Sequence, residues 1–414
     1  MTLSHAATVP LPSKKMRRTG KPSIGLALAG GGPLGAVYEI GALAALEESI
    51  DGLDMNDIDI YVGISAGGII AAGLANGITP HQMCRLFIES ESADLGIAEF
   101  KPEHLLKPAW AEFRKRAWSL PGLLGGSLIN HVRRDRSASL ASSFERLKEM
   151  LPTGLFSSHG IDDFLAQTFA ANGRTNDFRK LANKLVIVAT DLDSGQSVEF
   201  GQPGMDDVPI STAAQASASV PGLFSPVEID GQFYVDGALR KTLHASIALK
   251  EGVDLLLCLN PIIPFNAKAM HAPGKLTQRG MLDVLSQTLR AIIHSRVELG
   301  MANYLHTYPD ADILLFEPSA LDAEMFFTNL FSYNTRRRMC ENAYQHVRMT
   351  LWQRRVEIDA KLARHGLKLK RAVLRDTSLK LVKNARSGKE DRFGTRHLNE
   401  TLDLLERHLK IRQS

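Results

Sequence analysis

Two short apolar runs, each followed at once by glycine and then by small and apolar residues at helical spacing, dominate the start of the chain. Ile24-Gly25-Leu26-Ala27-Leu28-Ala29 reads as a buried strand, and Ala36 to Leu46 as the helix beyond a glycine turn. Ile58-Asp59-Ile60-Tyr61-Val62 repeats the pattern, with Gly68 to Ala75 as its helix. Strand, turn and helix used twice in succession predict a largely parallel sheet covered by helices. Further strands are expected at Leu185 to Ala189, with Val198-Glu199-Phe200 as a hairpin partner, and at Leu255 to Leu259, stopped by Asn260-Pro261. Val227-Glu228-Ile229 and Phe233-Tyr234-Val235 flank Asp230-Gly231, a favoured two-residue hairpin turn. From Asp283 onward the pattern is mainly helical. Met339, Ala343, Val347 and Leu351 recur every four residues, Gly366 supplies a stop, and Leu398, Leu402, Leu405 and Leu409 make a later stripe. No internal repeat is visible.

Composition adds limits to this picture. A chain of 414 residues with 44% hydrophobic and 23% charged residues has the makings of a large core, with room for one large domain and an accessory segment. Cys84, Cys258 and Cys340 are too widely spaced for a metal cluster or a disulfide framework, which fits a reducing compartment. The first 22 residues carry Lys14, Lys15, Arg17, Arg18 and Lys21 without an acidic residue or an apolar core, unlike a secretory signal. No apolar run approaches the ~18 residues of a spanning helix, so membrane contact is expected to be peripheral. Charge is uneven: residues 335–414 hold 21 Lys/Arg against 9 Asp/Glu, which leaves the rest net acidic although the whole chain is +4. Four blocks follow: a basic disordered leader (1–23), a main α/β domain (24–250), its continuation in strand and helices (251–334), and a basic amphipathic helical segment (335–414). Between Phe100 and Phe156 the reading is weakest. Trp110, Trp118 and the apolar glycine loop Leu120 to Gly126 fit either a surface connection or a lid.

The chemistry concentrates at the two glycine turns. Gly63-Ile64-Ser65-Ala66-Gly67 is a G-x-S-x-G between strand and helix, the setting in which a serine hydroxyl projects from a sharp turn as a nucleophile. A small-residue helix start is the alternative. Gly30-Gly31-Gly32-Pro33-Leu34-Gly35 opens the first helix, where consecutive backbone N–H groups and the helix N-terminus suit an anion. A permanent anion makes this a dinucleotide loop, since Gly30, Gly32 and Gly35 satisfy G-x-G-x-x-G, and the protein an oxidoreductase. That reading expects an acidic residue closing the next strand, where this chain has Gly63-Ile64-Ser65. A transient anion instead unites both turns, because attack by Ser65 on an ester creates an oxyanion that the N–H groups of Gly31 and Gly32 could stabilise. For the base, His244, His271, His294 and His306 lie downstream outside any recognisable turn motif. Asp236-Gly237-Ala238, directly after a short strand, is the better placed carboxylate.

Taken in order, the loop Gly30 to Gly35, the motif Gly63 to Gly67 and Asp236-Gly237-Ala238 resemble the three motifs of the patatin-like phospholipase family in its bacterial members. Ala189-Thr190-Asp191-Leu192 and Ala216-Ser217-Ala218-Ser219-Val220-Pro221 add to the likeness, which runs from about Leu26 to Leu249. Leu34 departs from it, standing where many relatives carry Arg or Lys. The resemblance implies a three-layer α/β/α fold with a largely parallel sheet, Ser65 as nucleophile, Asp236 as general base, and Gly30, Gly31 and Gly32 as oxyanion loop, joined by the N–H of Ala66. It implies hydrolysis of acyl esters of phospholipids or other glycerolipids, with no cofactor, no metal and no nucleic acid. A lipid-binding scaffold without turnover is the nonenzymatic alternative. The basic C-terminal segment could carry the protein to an anionic membrane surface, or pack as a cap on the domain or another subunit; the expected location is cytoplasmic, at most peripheral to the inner membrane.

Overall fold

The structure is a computed structural model that describes residues 22–89, 153–171, 173–241, 243–268, 275–278, 280–320 and 333–382. Strand β1 (Ile24–Leu28) turns through glycines into α1 (Gly32–Ser49), which ends on a two-residue strand, β2 (Ile50–Asp51). Strand β3 (Ile60–Ile64) feeds α2 (Ala66–Ala75). Next come β4 (Gly154–Phe156), α3 (His159–Phe169), β5 (Lys184–Asp191), β6 (Ser197–Phe200) and α4 (Ile210–Ser217). They are followed by β7 (Gly222–Phe224), β8 (Val227–Ile229), β9 (Gln232–Asp236), α5 (Ala245–Lys250) and β10 (Leu255–Leu259). Helix α6 (Met281–Thr307) precedes β11 (Asp312–Phe316). The chain then runs through α7 (Tyr333–Gln353), α8 (Arg355–Arg364), β12 (Lys368–Leu369) and α9 (Arg371–Arg375).

Strands β11, β10, β1, β3 and β5 lie side by side and parallel, as the repeated strand-turn-helix pattern predicts. Alternate residues of each strand enter opposite cores. Leu26, Leu28, Leu255, Leu257 and Leu259 face the layer of α1, α2 and α7, whereas Ala27, Val62, Leu256 and Cys258 face that of α5 and α6. The three-layer α/β/α expectation is met.

Around β5 the sheet changes direction. Ile187 and Val188 pair with β3 on one edge and with antiparallel β6 on the other. Ala189 and Thr190 pair with β6 and also with antiparallel β9, so β9 must continue the edge that β3 occupies. Strands β3 and β9 therefore approach each other head-on along one side of β5. Ile64 stands opposite Val188, and Asp236 opposite the next residue, Ala189. The β8–β9 hairpin turns at Asp230 (φ 51°) and Gly231 (φ 77°), the left-handed pair that a two-residue turn demands.

Three expectations need adjusting. Helix α1 begins at Gly32, earlier than Ala36, because the glycine loop itself forms its first turn. Strand β3 extends beyond Val62 to Ile64, and α2 starts at Ala66, so Ser65 alone makes the junction. The mainly helical region after Asp283 also holds β11, which adds to the sheet beside β10. Its four-residue apolar run, Ile313 to Phe316, is too short for periodicity to separate strand from helix. Residues 1–21 of the basic leader, Trp110, Trp118, the loop from Leu120 to Gly126, His271 and the stripe from Leu398 to Leu409 lie outside the described residues.

The described part of the basic C-terminal segment packs against the domain. Met339, Ala343, Val347 and Leu351 are buried, and β12 pairs antiparallel with β2. Helices α1 and α7 approach so closely that a Cβ on Gly41 would overlap the Cys340 carbonyl and lie 3.0 Å from the Ala343 methyl. Gly41→Ala is therefore expected to cost about 1–3 kcal/mol through overpacking. By contrast, a Cβ at Gly300 in α6 meets nothing nearer than the Tyr304 ring at 3.9 Å. Gly300→Ala should stabilise the protein by up to ~1 kcal/mol through helix propensity alone. Urea melts of the two variants check this pair of opposite signs.

Candidate active site

Ser65 occupies the one-residue elbow between β3 and α2 with φ 53° and ψ −125°, a conformation that L-residues avoid. The surrounding chain leaves it no alternative. A Cβ on Gly63 would stand 2.5 Å from the Gly67 carbonyl oxygen, and one on Gly67 would stand 2.6 Å from that of Ala29, so α2 folds back tightly over the end of its own strand. The Ser65 N–H donates to Ser217 Oγ at 2.8 Å, and Ser217 Oγ donates to the Val188 carbonyl at 2.6 Å. At the other side of the elbow, the Ser65 carbonyl accepts from Gly68 and Ile69 and so begins α2.

Asp236 closes β9 and is as buried as Ser65. Its Oδ1 accepts from the Ala238 N–H at 2.8 Å, and its carboxylate takes a hydrogen bond from the Ser65 side chain. The Asp236 backbone is fixed as well: its N–H donates to the Ser219 carbonyl at 3.0 Å, and its carbonyl accepts from Thr190 Oγ1 at 3.2 Å. Burial raises the carboxyl to about 6, more than the hydrogen bonds from Ser65 and Ala238 lower it. Gly237 must be glycine here, since a Cβ would overlap the Val188 carbonyl.

The first glycine turn completes the cluster. A Cβ on Gly30 would lie 3.2 Å from the Ser65 Cβ and 3.3 Å from the Ala238 Cβ, which brings three distant sequence motifs into mutual contact. The Gly31 carbonyl accepts from the Gly35 N–H, while Gly32 is left-handed at φ 59° and opens α1. Pro261 sits over this turn, 2.7 Å from where a Gly31 Cβ would be. Helices α1 and α2 thus both begin at the site, with N-terminal N–H groups that have no partner within their helices. Leu34, which replaces the usual cation, is half-buried against the apolar core. His244 is buried and held neutral, pushed down to about 3 by desolvation and by Lys241 and Arg240. Among the described residues the hydrogen bonds reaching Ser65 and Asp236 come from serine, threonine and backbone groups, not from histidine.

Reading the sequence alone assigned no task to Ser217, Ser219, Thr190 or Pro261. The first three lie in the two stretches that resemble the family, but their duty is to tether backbone. No residue type or spacing announces such a role.

A family model described as patatin-like phospholipase matches residues 26–249. "Probable lipid hydrolase 463L" of Invertebrate iridescent virus 6 is 25% identical over 223 residues, which are 53% of this chain and 61% of the viral protein. The match thus spans less than two thirds of that relative's length. Among solved structures, VipD from Legionella pneumophila is 15% identical with a TM-score of 0.37, covering 85% of this chain and 72% of VipD. Human GIVD cytosolic phospholipase A2 is 14% identical with a TM-score of 0.34, covering 81% of this chain and 60% of the human protein.

The buried carboxyl carries a stability cost with a definite sign. Its folded value lies above the usual 3.8, so the native state holds its proton more tightly than the unfolded chain, and stability falls as pH rises from about 4 to about 6. His244 acts in the opposite direction at acid pH, so only the difference between wild type and variant isolates the carboxyl. Asp236→Asn is expected to match wild type below pH 4 and to exceed it by roughly 2–3 kcal/mol at neutral pH. Chemical denaturation across the pH range measures that gap, and a gap independent of pH would refute it.

Proposed function

The chain belongs to the patatin-like phospholipase family, and we propose that it hydrolyses carboxylic esters of phospholipids or other acyl glycerolipids through a Ser65–Asp236 dyad. The observation that carries this reading is the strained Ser65 elbow hydrogen-bonded to a buried carboxylate whose basicity has been raised. The similarity to a viral lipid hydrolase supports the substrate class.

In the proposed reaction Ser65 Oγ attacks the acyl carbonyl carbon while its proton passes to Asp236. The carbonyl electron pair moves onto oxygen, which faces the N–H groups of Gly31 and Gly32 and that of Ala66. Collapse of this tetrahedral species breaks the ester bond, and Asp236 returns the proton to the departing alcohol or lysolipid oxygen. Water then gives a proton to Asp236 and attacks the acyl-serine. The second collapse releases the fatty acid and restores the serine hydroxyl. Two helix N-termini aimed at the oxyanion place positive potential where negative charge develops, and each lost donor of this kind costs about 2.7–4 kcal/mol of barrier.

An ordinary aspartate is a weak base toward a serine hydroxyl. Raising the carboxyl to about 6 strengthens it while leaving most of it ionised at neutral pH. The dinucleotide reading gains no support from the loop's surroundings, since Gly30 abuts Ser65 and Ala238 and no acidic residue closes β3.

Ser65→Ala and Asp236→Asn are each expected to reduce lipid hydrolysis by at least about a thousandfold, as loss of a member of a cooperating catalytic unit does. A fluorophosphonate probe should label Ser65 in wild type. Folded protein that neither labels nor turns over any acyl ester would return the scaffold reading. With the base active only when ionised, kcat/KM should rise with pH to a plateau, with its half-point near 6. A stopped or plate assay on a short-chain ester from pH 4.5 to 8 checks the position of that limb.

A further inference from the structure

Helix α6 has two apolar faces, and among the described residues only one is packed. Val297, Met301 and Tyr304, at helical spacing, pack against the core formed with α5 and the sheet. On the opposite side Met281, Leu285, Leu289, Ile292 and Leu299 are 79, 52, 50, 52 and 70% exposed. At about 100° per residue these five make one stripe, and at 1.5 Å per residue it runs roughly 27 Å. Single exposed apolar residues are ordinary, but five aligned on one helix face are not.

Position and charge identify what this face suits. The stripe also carries Arg296, whose Nη1 donates to the Leu239 carbonyl at 3.4 Å, tying α6 to the segment three residues beyond Asp236. Leu239 is itself exposed, and Val220 and Leu223, which follow the Ser219 tether, are exposed as well. Lys241 lies 5.7 Å from the Tyr304 ring centroid, on the side of α6 that packs against the core. By helical spacing the carboxylates of α6, Asp283 and Glu298, fall off the stripe. An apolar row that carries Arg296 and no acidic residue, and that this arginine joins to the loop beside the dyad, matches the surface of an anionic bilayer. The basic helix α7 offers no comparable row, because Met339, Ala343, Val347 and Leu351 are buried against the domain.

We propose that the outer face of α6 is a docking surface for anionic phospholipid membranes, which seats the protein with Leu239 and the neighbouring site toward the lipid. The proposal deepens the lipid hydrolase reading and rests on it for the purpose of docking, but the binding itself needs no turnover.

The test uses the full chain and vesicles of phosphatidylcholine and phosphatidylglycerol at 7:3. Cosedimentation on a Ser65→Ala background avoids consuming the lipid. Leu285→Gln/Ile292→Gln is expected to weaken vesicle partition at least tenfold while its melting temperature and its hydrolysis of a soluble short-chain ester, measured with Ser65 intact, stay at wild-type levels. Leu299→Gln, more exposed still, provides a second variant and should weaken partition severalfold. Unaltered partition in both variants overturns the proposal. So does wild-type protein that ignores the vesicles, or a wild-type dimer that the double substitution dissolves, since the stripe would then be covered by this chain itself. The two readings fail separately: vesicle binding lost in the variants without ester hydrolysis in wild type sinks only the enzyme, and ester hydrolysis with unchanged vesicle partition sinks only the docking face.

Discussion

The site depends on two strands ending nose to nose. Strand β5 is long enough to pair with β3 over its first half and with β9 over its second, on the same edge. Parallel β3 delivers Ser65 at its carboxyl end, and antiparallel β9 delivers Asp236 at its own carboxyl end from the opposite direction. On this shared edge the opposite directions bring two carboxyl ends together, whereas a β9 running the same way as β3 would present its amino end to Ser65. One change of direction within a mostly parallel sheet thus juxtaposes groups 171 positions apart in the chain. The glycines at Gly63, Gly67 and Gly237 are where this meeting is tightest, each with a carbonyl where a side chain would begin.

Such a meeting is energetically uphill in two ways, and the neighbouring hydrogen bonds offset it. A non-glycine residue in a left-handed conformation costs about 1–3 kcal/mol, and a buried carboxyl with a raised pKa costs more as it ionises. Both are restrained from one segment: Ser217 accepts from the Ser65 backbone, and the Ser219 carbonyl accepts from the Asp236 backbone. The end of α4 is therefore a clamp across nucleophile and base, itself fixed by Val188 of β5. Net hydrogen bonds of about 1 kcal/mol each do not erase the strain. They make the alternatives to it worse.

Much of the sheet was legible because its strands are leucine- and β-branched runs bounded by glycine, proline or asparagine, as at Leu255 to Asn260. The three motif segments were legible because glycines at fixed offsets from Ser65 and Asp236 carry a steric meaning. Strand β11 was not, since four apolar residues between two helical regions have no period of their own. The backbone tethers by Ser217, Ser219 and Thr190 were hidden for a different reason: a serine in a small-residue run looks the same whether its hydroxyl meets solvent or a carbonyl. Edge sharing by β3 and β9 was also beyond reach, because register is a long-range property settled by pairing.

The first glycine turn has a consequence of its own. In the proposed mechanism every donor to the oxyanion is main chain, presented by the starts of α1 and α2, and the one position where a cation is usual holds Leu34. Stabilisation then comes from fixed dipoles at close range, which dissolved ions screen far less than they screen a charged side chain. The chemical step should consequently tolerate salt that disrupts attachment to a charged surface, so ionic strength separates arrival at the lipid from the reaction performed there.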